Sequence, residues 1–227
     1  MVSRAFSPVT RGRMRVVPSI LAEKFDEFSA RLKQAESFTD YVQIDFMDGI
    51  FVGTTSFPPE RVNEADTSLR FEAHLMVNDP ASFVDRIRHP GLKKVIFHYE
   101  ASAEPLAVIS KIRERGLAPG LAIRSETGTD KFEEIGQYVD TLLFLTVEPG
   151  NYGHPFKPEV LRKVAEARSV FPEKVICVDG GVSLDNLETL HDIGVDCVCV
   201  GSRIFLEGDP RENYRLFLRK IEEMERS

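Results

Sequence analysis

The feature that most constrains the fold is a regular alternation of short apolar stretches with helical patterns along the chain of 227 residues. Eight stretches have the apolar, β-branched character of strands: 14–20, 41–46, 70–76, 93–98, 118–123, 140–147, 174–178 and 195–200. Apolar residues at helical spacing predict helices near 23–37, 80–88, 104–115, 130–137, 157–170, 184–192 and 211–224, with a weaker one at 58–66. This alternation predicts an α/β fold, a closed (β/α)8 TIM barrel.

An open doubly wound sheet is the alternative fold. No Gly-x-Gly-x-x-Gly segment follows the first strand, which disfavours the nucleotide-binding form of that sheet. We expect residues 14–227 to form a single barrel domain and residues 1–13 to form an N-terminal tail. Residues 1–15 contain four arginines but lack the long apolar region of a secretory signal.

The amino-acid composition limits the classes of binding partner and the cellular compartment that we expect for this protein. A formal net charge of −7 disfavours nucleic acid as a partner. The chain has no apolar run of about 18 residues, so we expect no membrane span. Its three cysteines, at 177, 197 and 199, all fall in predicted strands. An odd number of cysteines in buried strands predicts reduced thiols and a cytoplasmic protein.

Two carboxylates stand at the ends of predicted strands, where the chemistry of a barrel gathers. Asp45 ends the second strand, Asp179 ends the seventh, and a glycine-bearing turn follows each. The ends of these strands face each other across the barrel mouth. Two such carboxylates could take a proton from one face of a carbon and return it to the other, which is the chemistry of an epimerase.

Other polar residues share this end of the predicted barrel. His74 ends the third strand, and Gln43 lies on the same face of its strand as Asp45. Any one of these side chains could simply close a loop by hydrogen bonding. Three polar residues on three strand ends, Asp45, His74 and Asp179, together predict a functional site, because burying them without partners would be costly.

Three glycine-bearing segments follow strands six, seven and eight, at 149–153, 180–181 and 201–202. Glycine lets backbone N–H groups approach an anion closely, and a helix predicted to begin near Arg203 would present its positive end. Phosphate sites after the last two strands recur in this fold. The segments therefore predict binding of a phosphate group.

With these positions placed, residues 15–206 resemble the ribulose-phosphate 3-epimerase family. The motifs that carry the resemblance are VPSILA at 17–22, IDFMDG at 44–49, HLMV at 74–77, HYEA at 98–101, TVEPG at 146–150, VDGGV at 178–182 and GSRIF at 201–205. The resemblance implies a ribulose-phosphate-binding barrel that interconverts D-ribulose 5-phosphate and D-xylulose 5-phosphate, or a close ketose phosphate.

The resemblance also implies roles for individual residues. Asp45 and Asp179 would be the acid/base pair. Substrate contacts would come from Ser19, Met47, His74, Met76, Gly150, Gly153, Gly180, Gly181, Gly201 and Ser202. Asp45, His74 and Asp179 would hold a divalent metal (zinc, manganese, magnesium or iron) that polarises the sugar. We expect a homo-oligomer whose partner is a small sugar phosphate.

This chain departs from the family pattern at position 43, where Gln43 replaces a histidine ligand. An amide oxygen is a poor zinc ligand, although magnesium or manganese tolerates it better, so the metal is expected to bind weakly or not at all. Without a metal, Arg124 at the end of the fifth strand is the expected stabiliser of an enediolate.

Two other functions remain open. One is a sugar-phosphate lyase or decarboxylase of the same fold, although its Asp-x-Lys-x-x-Asp signature is absent after Ile44. The other is a non-catalytic binding protein, which Gln43 favours and the presence of both Asp45 and Asp179 disfavours.

Overall fold

A computed structural model describes residues 13–150 and 152–226. Eight parallel strands pair in chain order and close into a barrel, which confirms the predicted (β/α)8 fold. The strands are β1 (Arg15–Leu21), β2 (Tyr41–Met47), β3 (Arg70–Met76), β4 (Leu92–His98), β5 (Ala118–Ile123), β6 (Thr141–Leu145), β7 (Val175–Asp179) and β8 (Cys197–Val200). Residues 1–12 of the expected N-terminal tail lie outside the described residues.

Helices surround the barrel. They are α1 (Phe25–Ala35), α2 (Pro80–Arg86), α3 (Pro105–Glu114), α4 (Thr129–Gly136), α5 (Val160–Val170), α6 (Leu187–Asp192), α7 (Ser202–Phe205) and α8 (Pro210–Met224). The weaker helix expected at 58–66 is a 3₁₀ helix, Pro59–Glu64, and a second 3₁₀ turn, Tyr99–Ala101, was not expected. Of the helices described, none has the length and apolar character needed to cross a membrane.

Local sequence explains where several helices begin. Pro80, Pro105 and Pro210 each open a helix, where the fixed φ of proline is favourable and its missing N–H is not needed. The Asp79 and Asp209 side chains accept hydrogen bonds from backbone N–H groups in the first turns of α2 and α8. These signals place the starts of the helices within a few residues of the positions predicted from the apolar periodicity.

Each strand has two differently packed faces. Ile44, Phe46 and Leu75 point outward and join the main apolar core beneath the helices. The inward-facing apolar side chains form a separate, narrow cluster of Val17, Tyr41, Ile96, Ala122, Leu143, Cys177, Cys197 and Cys199. This alternation follows from the two-residue period of a strand. The three cysteines are free and buried, as expected.

An ion pair lies inside the barrel below the mouth. Lys94 Nζ lies 3.0 Å from Glu72 Oε2, and the Tyr41 hydroxyl donates to the same oxygen at 2.9 Å. All three side chains are buried. The Glu72 charge raises the pKa of Lys94 against the opposing effect of its burial. A buried pair of this kind is costly to break, because one charge would remain unpaired.

Candidate active site

The ends of β2, β3 and β7 bring Asp45, His74 and Asp179 together, as the sequence predicted. His74 Nδ1 lies 3.0 Å from Asp45 Oδ1 and 3.4 Å from Asp179 Oδ2. Strand register places Asp45 beside His74, so the contact follows directly from the pairing of β2 with β3. Ser19 at the end of β1 donates its hydroxyl hydrogen to Asp45 Oδ2 at 2.6 Å.

The side-chain amide of Gln43 lies between the two carboxylates. Gln43 Nε2 donates to Asp179 Oδ2 at 2.7 Å and to Asp45 Oδ1 at 3.0 Å. On its other side, Gln43 Oε1 accepts a hydrogen bond from Cys199 Sγ at 3.2 Å. Gln43 and Cys199 are almost completely buried, at 0% and 1% exposure. One amide group on β2 therefore links the carboxylates of Asp45 and Asp179 and the thiol of Cys199, which lie on β2, β7 and β8.

A second histidine lies behind His74. His74 Nε2 and His98 Nε2 are 3.0 Å apart, and His98 Nδ1 is 3.4 Å from Glu100 Oε2. Glu100 accepts hydrogen bonds from the Arg124 backbone N–H and the Thr127 hydroxyl. Burial would raise the pKa of Glu100, but these bonds and His98 lower it to about 2. The chain of contacts from the mouth thus ends in an ionised carboxylate.

Burial and mutual hydrogen bonding set the pKa values of the cluster. Burial raises the pKa of Asp45; hydrogen bonding from His74 opposes that rise, and the charge of Asp179 adds to it. Burial alone would lower the pKa of His74, but its hydrogen bonds to Asp179 and Asp45 raise it to about 9. Burial lowers the pKa of His98 to about 4. At neutral pH, a protonated His74 donates from both ring nitrogens, and a neutral His98 accepts at Nε2.

The same cluster can be tested against a metal site. Donor atoms of Asp45, His74 and Asp179 lie within 4.8 Å of one another, a spacing that could hold an ion. The fourth ligand position does not fit, because Gln43 presents an N–H donor, not a lone pair, and bonds both carboxylates. A cation at this place would therefore compete with the Gln43 amide for the two carboxylates.

A cavity of about 630 Å³ opens at this end of the barrel. Its walls include nine of the ten expected substrate-binding residues: Ser19, His74, Met76, Gly150, Gly153, Gly180, Gly181, Gly201 and Ser202. Both candidate acid/base residues, Asp45 and Asp179, also line it. The tenth residue, Met47, instead packs in a small apolar cluster with Met76 and Val52 and borders a neighbouring groove.

The glycines of the expected phosphate loops have specific structural reasons. Gly180 and Gly181 have φ values of 101° and 64°, which side-chain-bearing residues rarely adopt. A Cβ on Gly180 would lie 2.3 Å from a methyl group of Val147. At Gly201 the φ is ordinary, but a Cβ would meet the Tyr152 ring at 2.3 Å. Close packing of Tyr152 is therefore one reason for glycine at 201, in addition to the expected phosphate contact.

Tyr152 fixes the loop after β6 to the end of β1. Its hydroxyl donates to the Ser19 carbonyl oxygen at 2.9 Å and accepts from the Leu21 N–H at 2.8 Å. The Arg31 guanidinium lies over the ring, 5.5 Å from its centroid. Burial raises the pKa of Tyr152, and the charge of Asp45 adds to that rise. The phenol is therefore neutral and forms a wall of the cavity.

The loop after β2 crosses one side of the mouth. Thr54 donates its hydroxyl hydrogen to the Gly150 carbonyl oxygen at 2.7 Å, which joins this loop to the loop after β6. Arg124 holds the same loop: its guanidinium lies over the Phe51 ring at 4.1 Å and donates to the Phe51 carbonyl oxygen at 2.8 Å. The Arg124 side chain is not among the residues that line the cavity, and its expected role in stabilising an enediolate stays a prediction.

Sequence reasoning missed several residues of the site. His98 was recognised only as part of a motif, and Cys199 only as an apolar thiol in a strand. Tyr152 falls within the glycine-bearing segment 149–153 but was given no role of its own. In the structure Cys199 pairs directly with Asp179 across β7 and β8, a register that the sequence alone does not provide.

Known proteins resemble the chain over most of its length. The model of the Ribulose-phosphate 3 epimerase family matches residues 15–205. A ribulose-phosphate 3-epimerase of Eremothecium gossypii is 31% identical over 211 residues, covering 87% of this chain and 88% of the relative. The enzyme of the same name from Mycobacterium tuberculosis is 33% identical over 201 residues, covering 86% and 87%.

Solved structures share the fold at much lower identity. KGPDC from Streptococcus mutans aligns with a TM-score of 0.66 at 13% identity, covering 94% of this chain and 99% of that protein. Orotidine 5'-monophosphate decarboxylase from Methanocaldococcus jannaschii aligns with a TM-score of 0.64 at 12% identity, covering 92% and 99%. These likenesses concern the barrel alone. The family match, together with relatives above 30% identity, establishes that the chain belongs to the ribulose-phosphate 3-epimerase family.

Proposed function

We propose that this chain is a sugar-phosphate 3-epimerase that interconverts D-ribulose 5-phosphate and D-xylulose 5-phosphate. The observation that carries the proposal is the pair of carboxylates, Asp45 and Asp179, that share one amide donor in the wall of one cavity. Two carboxyl groups that share a buried donor can hold one proton between them, since ionising both is unfavourable. That is the resting state a two-base reaction needs.

The two carboxyl groups have different environments, which suits them to different roles. In this proposal Asp45, which is 4% exposed and whose pKa is raised by burial, is the carboxyl group that supplies a proton. Asp179, whose side chain is 15% exposed, is assigned as the base that breaks the C3–H bond. The electron pair forms the C2–C3 double bond of an enediolate, and Asp45 then gives its proton to the opposite face of C3. In the reverse direction the roles exchange.

Positive charge near the carboxylates offsets the charge of the enediolate. The protonated His74 lies against both Asp45 and Asp179, within a buried part of the cavity wall. His98 accepts the other ring hydrogen of His74, so the ring cannot rotate away without losing a buried hydrogen bond. A fixed cation in a poorly solvated site stabilises developing negative charge more than one in water.

The phosphate of the substrate belongs, in this proposal, to the glycine loops. Gly180 and Gly181 have positive φ, and successive backbone N–H groups in such conformations can form a concave anion site. Ser202 and Gly201 line the same part of the cavity. Placing the phosphate there leaves the sugar carbons directed toward the carboxylates at the strand ends.

A sugar-phosphate lyase or decarboxylase is the second candidate. Such enzymes of this fold carry a lysine beside the carboxylates, in the signature absent from this sequence. Lys94, which is inside the barrel, is paired with Glu72 and does not line the cavity. Among the described residues, the cavity wall contains no lysine at all. These contacts favour proton transfer at C3 over carbon–carbon bond cleavage.

Proton NMR in D₂O with ribulose 5-phosphate separates the candidate functions. An epimerase should replace the C3 hydrogen with deuterium as xylulose 5-phosphate accumulates. A lyase would release shorter products, and a binding protein would leave the sugar unlabelled. Asp45→Asn and Asp179→Asn should each slow the exchange by about 10²–10⁴-fold. Asp185→Asn, an exposed carboxylate just beyond β7, is the matched control and should be as active as the parent.

The compartment and assembly complete the proposal. The cytoplasm suits the three free, buried thiols on β7 and β8. A rice relative, 29% identical over 215 residues, is a cytoplasmic isoform of ribulose-phosphate 3-epimerase. We also expect a homo-oligomer, which sedimentation equilibrium would measure.

A further inference from the structure

We propose that the Gln43 amide, held by Cys199, takes the place of a metal ion in this site, so that proton transfer at C3 proceeds without a divalent cation. The inference rests on the proposed epimerase function. Gln43 and Cys199 are assigned here as positioning residues, since the amide holds Asp45 and Asp179 together and the thiol fixes the direction in which the amide points.

The amide satisfies both carboxylates at once. Its Nε2 group has two hydrogens, and the two short contacts, 2.7 Å to Asp179 and 3.0 Å to Asp45, use one hydrogen each. Hydrogen bonds between an amide and an ionised carboxylate are stronger than those between neutral groups. The amide therefore holds two mutually repelling carboxyl groups close together, as a cation bound to both of them would.

The orientation of the amide follows from its surroundings. If the amide were turned over, Oε1 would face two carboxylates, and the resulting repulsion would be strong in a buried site. On the opposite side, Oε1 accepts the Cys199 S–H at 3.2 Å. A thiol is a weak donor, but the Cys199 thiol is the group that donates to the amide oxygen of Gln43. Cys199 thus makes the observed orientation the fully bonded one.

This arrangement also opposes binding of a cation. An ion bound to Asp45, His74 and Asp179 would compete with the hydrogen bonds that Gln43 Nε2 donates to both carboxylates. It would gain a fourth ligand only if the amide turned over and gave up the thiol. The chain therefore has a satisfied, metal-free set of partners in the place where an ion would bind.

The test uses the full-length protein treated with EDTA and dialysed. Epimerase activity is measured with ribulose 5-phosphate, with and without added Mn²⁺ or Zn²⁺, and binding of each ion alone is measured by isothermal titration calorimetry. We expect the parent to keep its full kcat in EDTA and to bind either ion weakly. Gln43→Glu, which replaces the donor by a third carboxylate, should bind Mn²⁺ at least tenfold more tightly and should need it for activity.

The role of the thiol is tested by a pair of substitutions. Cys199→Ala removes the donor to Gln43 and should lower kcat in EDTA about tenfold, with little change in KM, while Mn²⁺ binding tightens. Cys199→Ser keeps a donor and should restore both values. Cys177→Ala removes a buried thiol of the same interior cluster that has no bond to Gln43, and is the control for packing. A kcat loss in Cys177→Ala equal to that in Cys199→Ala would overturn the role of Cys199.

The outcomes separate this inference from the function on which it rests. Activity that disappears in EDTA and returns with an added ion would overturn the metal-free site and leave the epimerase proposal intact. So would tight, stoichiometric binding of Zn²⁺ by the parent. A parent protein that is inactive both in EDTA and with either ion would overturn the proposed function itself, together with the inference.

Discussion

Replacing His74 by asparagine should remove a pH-dependent part of the free energy of unfolding. The pKa of His74 is about 9 in the folded protein against an ordinary value of 6.5. A group whose pKa is raised by folding stabilises the folded state when it is protonated in that state. This contribution is therefore complete below pH 6.5 and is lost as the pH rises through about 9. At about 1.4 kcal/mol per pH unit, the difference amounts to about 3 kcal/mol.

Urea unfolding in EDTA at a series of pH values from about 6 to 10 would measure this contribution of His74 to the free energy of unfolding. Asparagine can still donate a hydrogen bond toward Asp45, but it does not titrate. The stability advantage of the parent over His74→Asn should therefore shrink by about 3 kcal/mol across this range. Thiols and lysines titrate in both proteins, so their contributions cancel in the difference. An advantage that stays constant with pH would refute a protonated His74. His191→Asn, at the surface of α6, is the control for replacing a histidine by asparagine.

Three further predictions concern contacts around the site. Tyr152→Phe breaks both hydrogen bonds to the end of β1; it should cost about 1–3 kcal/mol in urea unfolding and raise KM more than it lowers kcat. Lys94→Met leaves Glu72 buried and unpaired and should cost about 3–5 kcal/mol, whereas the double variant with Glu72→Leu should recover most of that loss. Arg124→Ala removes the hydrogen bond to the Phe51 carbonyl oxygen and should speed amide hydrogen exchange at residues 50–55, while metal-free turnover is retained. Loss of metal-free turnover in this variant would instead indicate that Arg124 takes part in the reaction.

The fold could be predicted because the strand patterns, the helix patterns and the residues at helix starts all indicate the same alternation. β-branched stretches with a two-residue period alternate with helical patterns, and prolines and aspartates mark the helix starts. Errors arose at the ends of elements. The sixth strand stops at Leu145, two residues before the predicted end, although the Thr146 N–H still bonds the carbonyl oxygen of Asp179 at the end of β7.

The site could be predicted only as far as strand ends determine it. Asp45, His74 and Asp179 meet because each lies at, or within two residues of, the carboxyl end of its strand, a property that sequence position alone indicates. The bond from Cys199 to Gln43 depends instead on how long side chains reach across the barrel interior. Likewise, Lys94 lies beside Glu72 in the register of neighbouring strands, but that register is fixed only once the barrel has closed. No local sequence pattern carries this information.

The contact between Thr54 and Gly150 affects how a substrate can reach the cavity. It joins the loops after β2 and β6 across one side of the mouth, while Asn186, Arg203 and Glu207 line the cavity beyond β7 and β8. We therefore expect a sugar phosphate to enter and leave over the loops after β7 and β8, where the glycine segments proposed to bind its phosphate also lie.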